Sequence, residues 1–236
     1  MHQIETSILR LRGPWGVPID VQPSILFLLF LIIGVHASGG AEAMMDGVII
    51  AAILIGSILL HELGHAWGAL VQGVRVSRIT LHGAGGTCLH AAAPMRLSEF
   101  ITVMGPLVNL ALWAILSLLA EAIWATQATP GAGDQFQLAA WLWFAAELNL
   151  MLFILNMMPV QPLDGGKLAF FALSRALPDG RALQVAGALG LVFSLIWVPV
   201  MLVLFVTFGF VFLFLPSLRL HWSMLREGRS RTRTQP

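Results

Sequence analysis

Two histidines and a glutamate are spaced so that they could carry out chemistry together. The sequence reads His61-Glu62-Leu63-Gly64-His65. On a helix, His61 and His65 are i and i+4, so both imidazoles project from one face and can chelate one metal ion. Glu62 lies beside them, placed to take a proton from a water at that metal. The pattern, H-E-x-x-H, indicates a zinc-dependent hydrolytic site.

The motif lies within residues 44–71, an apolar run that is long enough to cross a lipid bilayer. Ionisable side chains are costly in hydrocarbon, so a glutamate between two histidines at this depth is a candidate functional group. The alternative is a structural role, in which these polar residues satisfy one another's hydrogen-bonding groups between packed helices.

The composition is that of a membrane protein. The chain has 236 residues, of which 58% are hydrophobic and only 11% charged, and its mean hydropathy is +0.84. We therefore predict an all-α polytopic membrane protein with about six transmembrane helices. The formal net charge of +1 gives no indication of a nucleic-acid partner. Cys88 is the lone cysteine, which excludes an internal disulfide and a thiolate metal cluster.

The predicted organisation has three parts: a cytosolic or interfacial arm (1–22), an integral membrane domain (23–221, catalytic core about 44–166) and an Arg-rich cytosolic tail (222–236). The predicted spans are 23–41, 44–71, 99–124 and 138–158, followed by two short helices in 183–218 that break near Pro199. Residues 74–94 are β-branched and glycine-rich, which predicts a small hairpin or sheet at the cytosolic interface. Residues 126–137 are predicted to form a loop, and 167–177 a short amphipathic helix.

The distribution of charge predicts the orientation. With six spans, all 13 Lys and Arg residues fall on one side of the membrane. The positive-inside rule then places both termini in the cytosol. We expect a multi-pass protein of the cell (inner) membrane, of bacterial type, whose basic tail contacts anionic lipid.

A third metal ligand is needed, because a catalytic zinc site usually has three protein ligands and one open position. Asp164 is the outstanding candidate, since it directly follows the fourth span and precedes two glycines. Glu121 and Glu147 lie further toward the outer side, and we assign them hydrogen bonds between helices. We interpret His82 and His90 as ordinary polar loop residues.

Three motifs together resemble the site-2 protease family of intramembrane metalloproteases. They are His61-Glu62-Leu63-Gly64-His65, Gly105-Pro-Leu-Val-Asn109 and Asn156-x-x-Pro-x-x-Pro-Leu-Asp164-Gly165. The resemblance implies that His61, His65 and Asp164 bind one Zn²⁺ per chain and that Glu62 is the catalytic acid and base. It further implies that Asn109 and Asn156 hold the substrate backbone. We find no room for a PDZ or CBS domain, so the chain resembles a minimal member.

The predicted activity is that of a zinc metalloendopeptidase, which cleaves peptide bonds within or near transmembrane segments. Its partners are then a transmembrane protein substrate and the lipid bilayer, and the oligomeric state is left open. Residues 74–81 could bind the unwound substrate as a free edge strand. The alternative is a metal-ion transporter or metal-handling membrane protein, in which the same His and Asp residues pass an ion.

Overall fold

The computed structural model describes residues 7–126, 133–208 and 216–234. These residues are mostly helical and include one small β-sheet. The predicted fold class, a helical membrane protein with a small sheet after the second helix, is confirmed. The chain divides into two compact units, Met1–Phe153 and Ile154–Pro236.

The first unit contains a helical hairpin. α1 (Ser24–His36) leads through a short 3-10 turn, Ala37–Gly39, into the longer α2 (Gly40–Leu70). Gly47 of α2 allows close packing, since a Cβ there would lie 3.2 Å from the Cα of Ile33. At 1.5 Å per residue α1 is about 20 Å long, which is less than a hydrocarbon core of about 30 Å.

Four short strands form one sheet in the order β1-β2-β3-β4. They are β1 (Leu9–Arg12), β2 (Pro18–Val21), β3 (Val76–His82) and β4 (Gly85–His90). β1–β2 and β3–β4 pair antiparallel, whereas β2 pairs with β3 in parallel. Residues 1–22, predicted as an arm, thus supply two strands in their described part. Pro14 lies in the turn between these strands and Pro18 begins β2, where a missing N–H is tolerated.

β3 is an inner strand, so the prediction that residues 74–81 form a free edge is wrong. β2 occupies one side of β3 and β4 the other. The sequence does not show this, because β2 is separated from β3 along the chain by the whole of α1 and α2. In the described sheet the outer strands are β1 and β4.

An ion pair joins the first strands. The buried Asp20 carboxylate accepts a hydrogen bond of 2.6 Å from Nε of Arg10. This hydrogen bond and the carboxylate's charge raise the pKa of Arg10 above its ordinary value. Arg78 of β3 lies 3.8 Å from the same carboxylate. Asp20 therefore connects the side chains of three strands.

The sheet packs on the end of α2 that carries the histidines. One buried cluster contains Ile19 of β2, Ile79 and Leu81 of β3, and Ala66 of α2. Leu63 packs against the same cluster. Because Leu63 and Ala66 flank His65 in the chain, this packing fixes the motif helix at the level of its polar residues.

α3 (Met95–Thr126) crosses α2 at a very short distance. A Cβ at Gly64 would lie 2.7 Å from the carbonyl oxygen of Met104, and one at Gly68 would lie 2.8 Å from Met104 Cγ. Glycines at i and i+4 are a common means of close helix packing in membranes. α4 (Gly133–Asn156) follows, so the predicted loop 126–137 is shorter than expected; its residues 127–132 lie outside the described part.

The second unit contains three further helices. They are α5 (Asp164–Ala176), α6 (Asp179–Phe208) and α7 (Leu218–Thr234). α6 continues through Pro199, so the predicted break there is wrong. A proline removes one backbone hydrogen bond, but apolar surroundings offer the neighbouring groups no other partner, and the helix persists.

α7 packs antiparallel on the first half of α6. Gly180 of α6 lies against Thr232 of α7, whereas Gly190 lies against the His221 ring. His221, Met224 and Gly228 are buried at a helical spacing. Burial lowers the pKa of the His221 imidazole, and its Nε2 has no hydrogen-bond partner in the described structure. Residues 222–234, predicted only as a basic tail, are therefore part of a packed helix.

Four stretches of the described chain are long and apolar enough to cross a membrane, where the sequence predicts about six spans. They are Ser24–Leu70, Met95–Thr126, Phe136–Asn156 and Asp179–Val203. Ser24–Leu70 contains both helices of the α1–α2 hairpin, which only a short 3-10 turn separates, and α6 is not divided at Pro199. Large apolar side chains such as Phe30 and Leu195 are exposed on these helices, as expected for surfaces that face lipid.

The packing of Gly190 on α6 against His221 on α7 can be tested by substitution. Gly190→Ala places a methyl group into the His221 ring, and we expect a loss of about 1–3 kcal/mol in stability, the usual cost of overpacking. The double variant Gly190→Ala/His221→Ala should recover most of it, measured as thermal unfolding in detergent. Gly56→Ala is the control, because a Cβ at Gly56 meets nothing within 4 Å. An equally large loss in the double variant would contradict this packing.

Candidate metal centre

α2 places the three motif residues in the interior. His61, Glu62 and His65 are all buried, each less than a tenth exposed. The Nε2 atoms of His61 and His65 lie 3.1 Å apart, and the two rings meet edge to face. The predicted convergence of the two imidazoles from one helix face is therefore present in the structure.

Gly105 of α3 lies directly against the paired imidazoles. A Cβ at this position would lie 2.8 Å from Nε2 of His61, and it would overlap Cε1 and Nε2 of His65. Pro106 follows inside the helix and is also buried. Gly105 thus has a steric reason: a larger residue at this position leaves no space for both imidazole nitrogens.

The other ring nitrogen of each histidine contacts α3. Nδ1 of His65 lies 2.8 Å from the carbonyl oxygen of Ile101, and Nδ1 of His61 lies 2.5 Å from Oδ1 of Asn109. A backbone carbonyl can only accept, so the neutral His65 ring carries its proton on Nδ1 and presents the lone pair of Nε2.

The paired Nε2 atoms fit a zinc ion. Two nitrogens that each bind a tetrahedral zinc at 2.0–2.1 Å are separated by about 3.3 Å. The observed separation of 3.1 Å is close to this value. Metal-bound histidines also commonly donate the second ring N–H to a carbonyl or another polar group, as His65 does here.

The β-sheet contacts Glu62 through β4. Gly86 of β4 lies so close that a Cβ there would be 2.5 Å from Glu62 Cγ and 2.7 Å from Glu62 Oε1. β4 packs against α2 along this region. The carboxylate of Glu62 therefore lies next to the backbone of an outer strand.

Two polar residues that sequence reasoning missed extend the environment of His61. Asn109 donates from Nδ2 to Oδ1 of Asn149 on α4 at 2.8 Å, and Asn149 donates from Nδ2 to Oγ of Ser57 on α2 at 3.0 Å. All three side chains are buried. A signal was present in the sequence, because Asn149 is an amide in an apolar span and Ser57 precedes His61 by one helical turn. The predicted substrate-binding role of Asn109 remains a prediction.

In the second unit, Asp164 is the first residue of α5 and is 4% exposed. Nζ of Lys167 lies 3.0 Å from Asp164 Oδ1. The glycines that follow Asp164 are required by close packing, since a Cβ at Gly165 or Gly166 would overlap the backbone of the preceding turn. Asn156 is the half-buried last residue of α4, eight positions before Asp164.

The remaining candidate residues have local roles. His82 accepts from the Ala84 N–H at 3.3 Å, and His90 Nδ1 donates to the carbonyl of Ala91. His82 ends β3 and His90 ends β4, so the prediction that they lie in loops is wrong. Glu121 and Glu147 are exposed, and the described structure gives neither a hydrogen bond. The predicted interhelical hydrogen bonds of these two glutamates are therefore wrong.

Comparison with known proteins finds one matching family model and several similar proteins. The model of peptidase family M50 matches residues 119–197, which include Asn156 and Asp164. The zinc metalloprotease MJ0392 of Methanocaldococcus jannaschii is 28% identical over 85% of this chain, and stage IV sporulation protein FB of Bacillus subtilis is 32% identical over 74% of it. The chain spans 59% and 57% of the lengths of these two relatives.

A solved structure shares the fold. The site-2 protease from Methanocaldococcus jannaschii superposes with a TM-score of 0.62 at 23% sequence identity. The match covers 97% of this chain and 96% of the other. The chain therefore shares its fold with this solved structure.

The packing of Gly105 generates a test of metal binding. Gly105→Ala inserts a methyl group against both Nε2 atoms, so we expect zinc content to fall at least about tenfold while helicity is retained. Zinc can be measured by elemental analysis of the purified protein. Gly56→Ala on α2 meets open space and should keep its metal. Full zinc occupancy in Gly105→Ala would show that the imidazole nitrogens do not bind the ion.

Proposed function

Because the chain belongs to the site-2 protease family within peptidase family M50, we propose that it is an intramembrane zinc metalloprotease. Its substrates are membrane proteins, cleaved at peptide bonds within or near their transmembrane segments. The observation that carries the proposal is the pair of buried Nε2 atoms 3.1 Å apart, with the carboxylate of Glu62 next in sequence.

We propose that His61, His65 and Asp164 hold one zinc ion per chain. His61 and His65 are buried on α2, and Asp164 is buried at the start of α5. Two imidazoles and one carboxylate are a donor set typical of catalytic zinc, which leaves one position open. The bound ion supplies Lewis acidity: it lowers the pKa of water and polarises the scissile carbonyl.

In this mechanism Glu62 transfers the proton. Its carboxylate takes a proton from the attacking water and delivers it to the nitrogen of the leaving amine. Its burial excludes bulk solvent from the carboxylate, and the neighbouring Gly86 has no side chain that could compete for the same space. Glu62 thus acts as acid and base and is not a zinc ligand.

The substrate must unwind before cleavage, because a helix engages its carbonyl oxygens in its own hydrogen bonds. We propose that the outer strand β4 binds the unwound segment by strand addition. β4 supports this role better than β3, since it is at the edge of the sheet and Gly86 lies beside Glu62. Asn156, at the end of α4, remains our candidate for holding the substrate backbone.

We further propose that the sheet faces the cytosol and that both termini lie on that side. The α1–α2 hairpin supports this, because β2 precedes it and β3 follows it, and these strands pair with each other. Residues on the two ends of the hairpin are therefore on one side of the membrane. Arg10, Arg12 and Arg78 of the sheet are basic, as the positive-inside rule requires of a cytosolic segment.

The assignment of Glu62 is tested by Glu62→Gln, which keeps the shape of the side chain and removes its basicity. We expect cleavage of a membrane-embedded reporter by the purified protein to fall at least about 100-fold. Zinc content should stay close to that of the wild type. His61→Ala and Asp164→Ala should lose both zinc and activity.

The same variants distinguish the alternative of a metal-ion transporter. In proteoliposomes, transport requires the metal ligands but no general base, so zinc uptake that persists in Glu62→Gln would favour the transporter. Undiminished proteolysis by Glu62→Gln would contradict the protease mechanism proposed above.

Strand addition at β4 is tested by cross-linking. In a Cys88→Ser background, Leu89→Cys places a thiol on the exposed face of β4. Single cysteines scanned along a substrate should then form disulfides at every second residue near the scissile bond, because side chains alternate along a strand. Leu9→Cys on β1, the opposite edge of the sheet, should give no such pattern. A periodicity of three to four residues would show that the substrate docks as a helix.

A further inference from the structure

We infer that Asn149 and Ser57 are positioning residues that fix the direction in which Asn109 hydrogen-bonds to His61. The inference rests on the proposed function, because it concerns how one zinc ligand is prepared for its metal. The group that sets this direction is the backbone carbonyl of Ala145 on α4. It lies three hydrogen bonds away from the His61 ring.

A chain of four hydrogen bonds extends from the His61 ring. Nδ1 of His61 lies 2.5 Å from Oδ1 of Asn109, and Nδ2 of Asn109 lies 2.8 Å from Oδ1 of Asn149. Nδ2 of Asn149 has two acceptors, Oγ of Ser57 at 3.0 Å and the carbonyl oxygen of Ala145 at 2.8 Å. We call these four side chains and this carbonyl the His61 relay.

The relay is closed to solvent. Asn109 is 0% exposed, Asn149 is 1% exposed and Ser57 is 5% exposed. Its members come from α2, α3 and α4, so three helices meet at this chain of hydrogen bonds. Water is therefore not available to replace a lost partner, and each amide must satisfy its groups within the relay.

The direction of the relay follows from the chemistry of its last acceptor. A carbonyl oxygen cannot donate, so the amide group that faces Ala145 must be the NH₂ of Asn149. Oδ1 of Asn149 then faces Asn109 and can only accept, which requires the NH₂ of Asn109 on that side. Oδ1 of Asn109 is left for His61, and it can accept only if Nδ1 of His61 carries the proton.

The proton on Nδ1 leaves the lone pair on Nε2, the nitrogen that faces His65. The two histidines therefore have the same tautomer, but different groups determine it. His65 donates directly to the carbonyl of Ile101, whereas His61 is governed by a carbonyl on another helix through two amides. Without Asn149, the amide of Asn109 is free to rotate and can present its NH₂ to His61, which places the ring proton on Nε2.

Ser57 has a different influence from Asn149. A hydroxyl both donates and accepts, so Ser57 stabilises the Asn149 amide without specifying its direction. Asn149→Leu should weaken zinc binding about 10–100-fold, the range typical for loss of a partner of a metal ligand. Ser57→Ala should weaken it only a few-fold. Asn149→Asp, which in its neutral form offers an oxygen to Asn109 and an O–H to Ala145, should restore affinity to within a few-fold of wild type.

The experiment measures two quantities on the full-length protein in detergent micelles. Zinc affinity is determined by competition with a chelator. The tautomer of His61 is read from ¹⁵N shifts of the imidazoles in the metal-free protein, with His61→Gln to assign the signal. Ser117→Ala is the matched control, because it deletes a hydroxyl on α3 that has no hydrogen-bond partner in the described structure; it should change neither quantity.

The expected result is a wild-type His61 that is protonated on Nδ1 and a shift toward Nε2 protonation in Asn149→Leu. A wild-type ring protonated on Nε2 would overturn the inference, and this measurement needs no variant to fold. Weak zinc binding by Asn149→Leu with an unchanged tautomer would also overturn it, since the residue would then be merely structural. If the wild type binds zinc and the tautomer of His61 shifts in Asn149→Leu, but the wild type cleaves no substrate, the proposed function fails while the relay stands.

Discussion

The candidate metal centre depends on how closely α3 approaches α2. Lipid tails are as apolar as leucine, so helices in a membrane gain little by burying apolar surface and rely on close packing. Gly64 and Gly68 provide that closeness on α2, and Gly105 provides it on α3. Only at this separation can the carbonyl of Ile101 and the amide of Asn109 reach the imidazoles of α2.

The motif helix is held from two sides by different kinds of structure. α3 contacts the imidazoles, whereas the sheet contacts the glutamate through Gly86 and packs on Leu63 and Ala66. Burying three ionisable side chains within five residues is costly unless each has a partner. The two supports supply polar contacts to the histidines and a close backbone to Glu62.

Much of the site could be predicted from sequence because its signals are local. His61, Glu62 and His65 share one helical turn, and Gly105 and Asn109 share another. The remaining features depend on contacts between distant segments. The pairing of β2 with β3 and the packing of α7 on α6 have no short-range pattern. Asn149 and Ser57 stand out as polar residues in apolar spans, but no local pattern shows that they contact each other. The break near Pro199 was predicted because one helix over residues 183–218 would be roughly 54 Å long, more than a hydrocarbon core of about 30 Å needs. That length does not decide where a helix ends, and α6 continues through Pro199.

The parallel pairing of β2 with β3 has a consequence for how the protein is made. Parallel neighbours need a crossover connection, and here the crossover is the entire α1–α2 hairpin. During synthesis, β2 emerges first and has no parallel partner until both helices have been translated. Insertion of the hairpin into the bilayer therefore precedes completion of the sheet, and β4 joins it after β3. The contact between Gly86 and Glu62 then forms late, so the surroundings of Glu62 are still incomplete while the first helices enter the membrane.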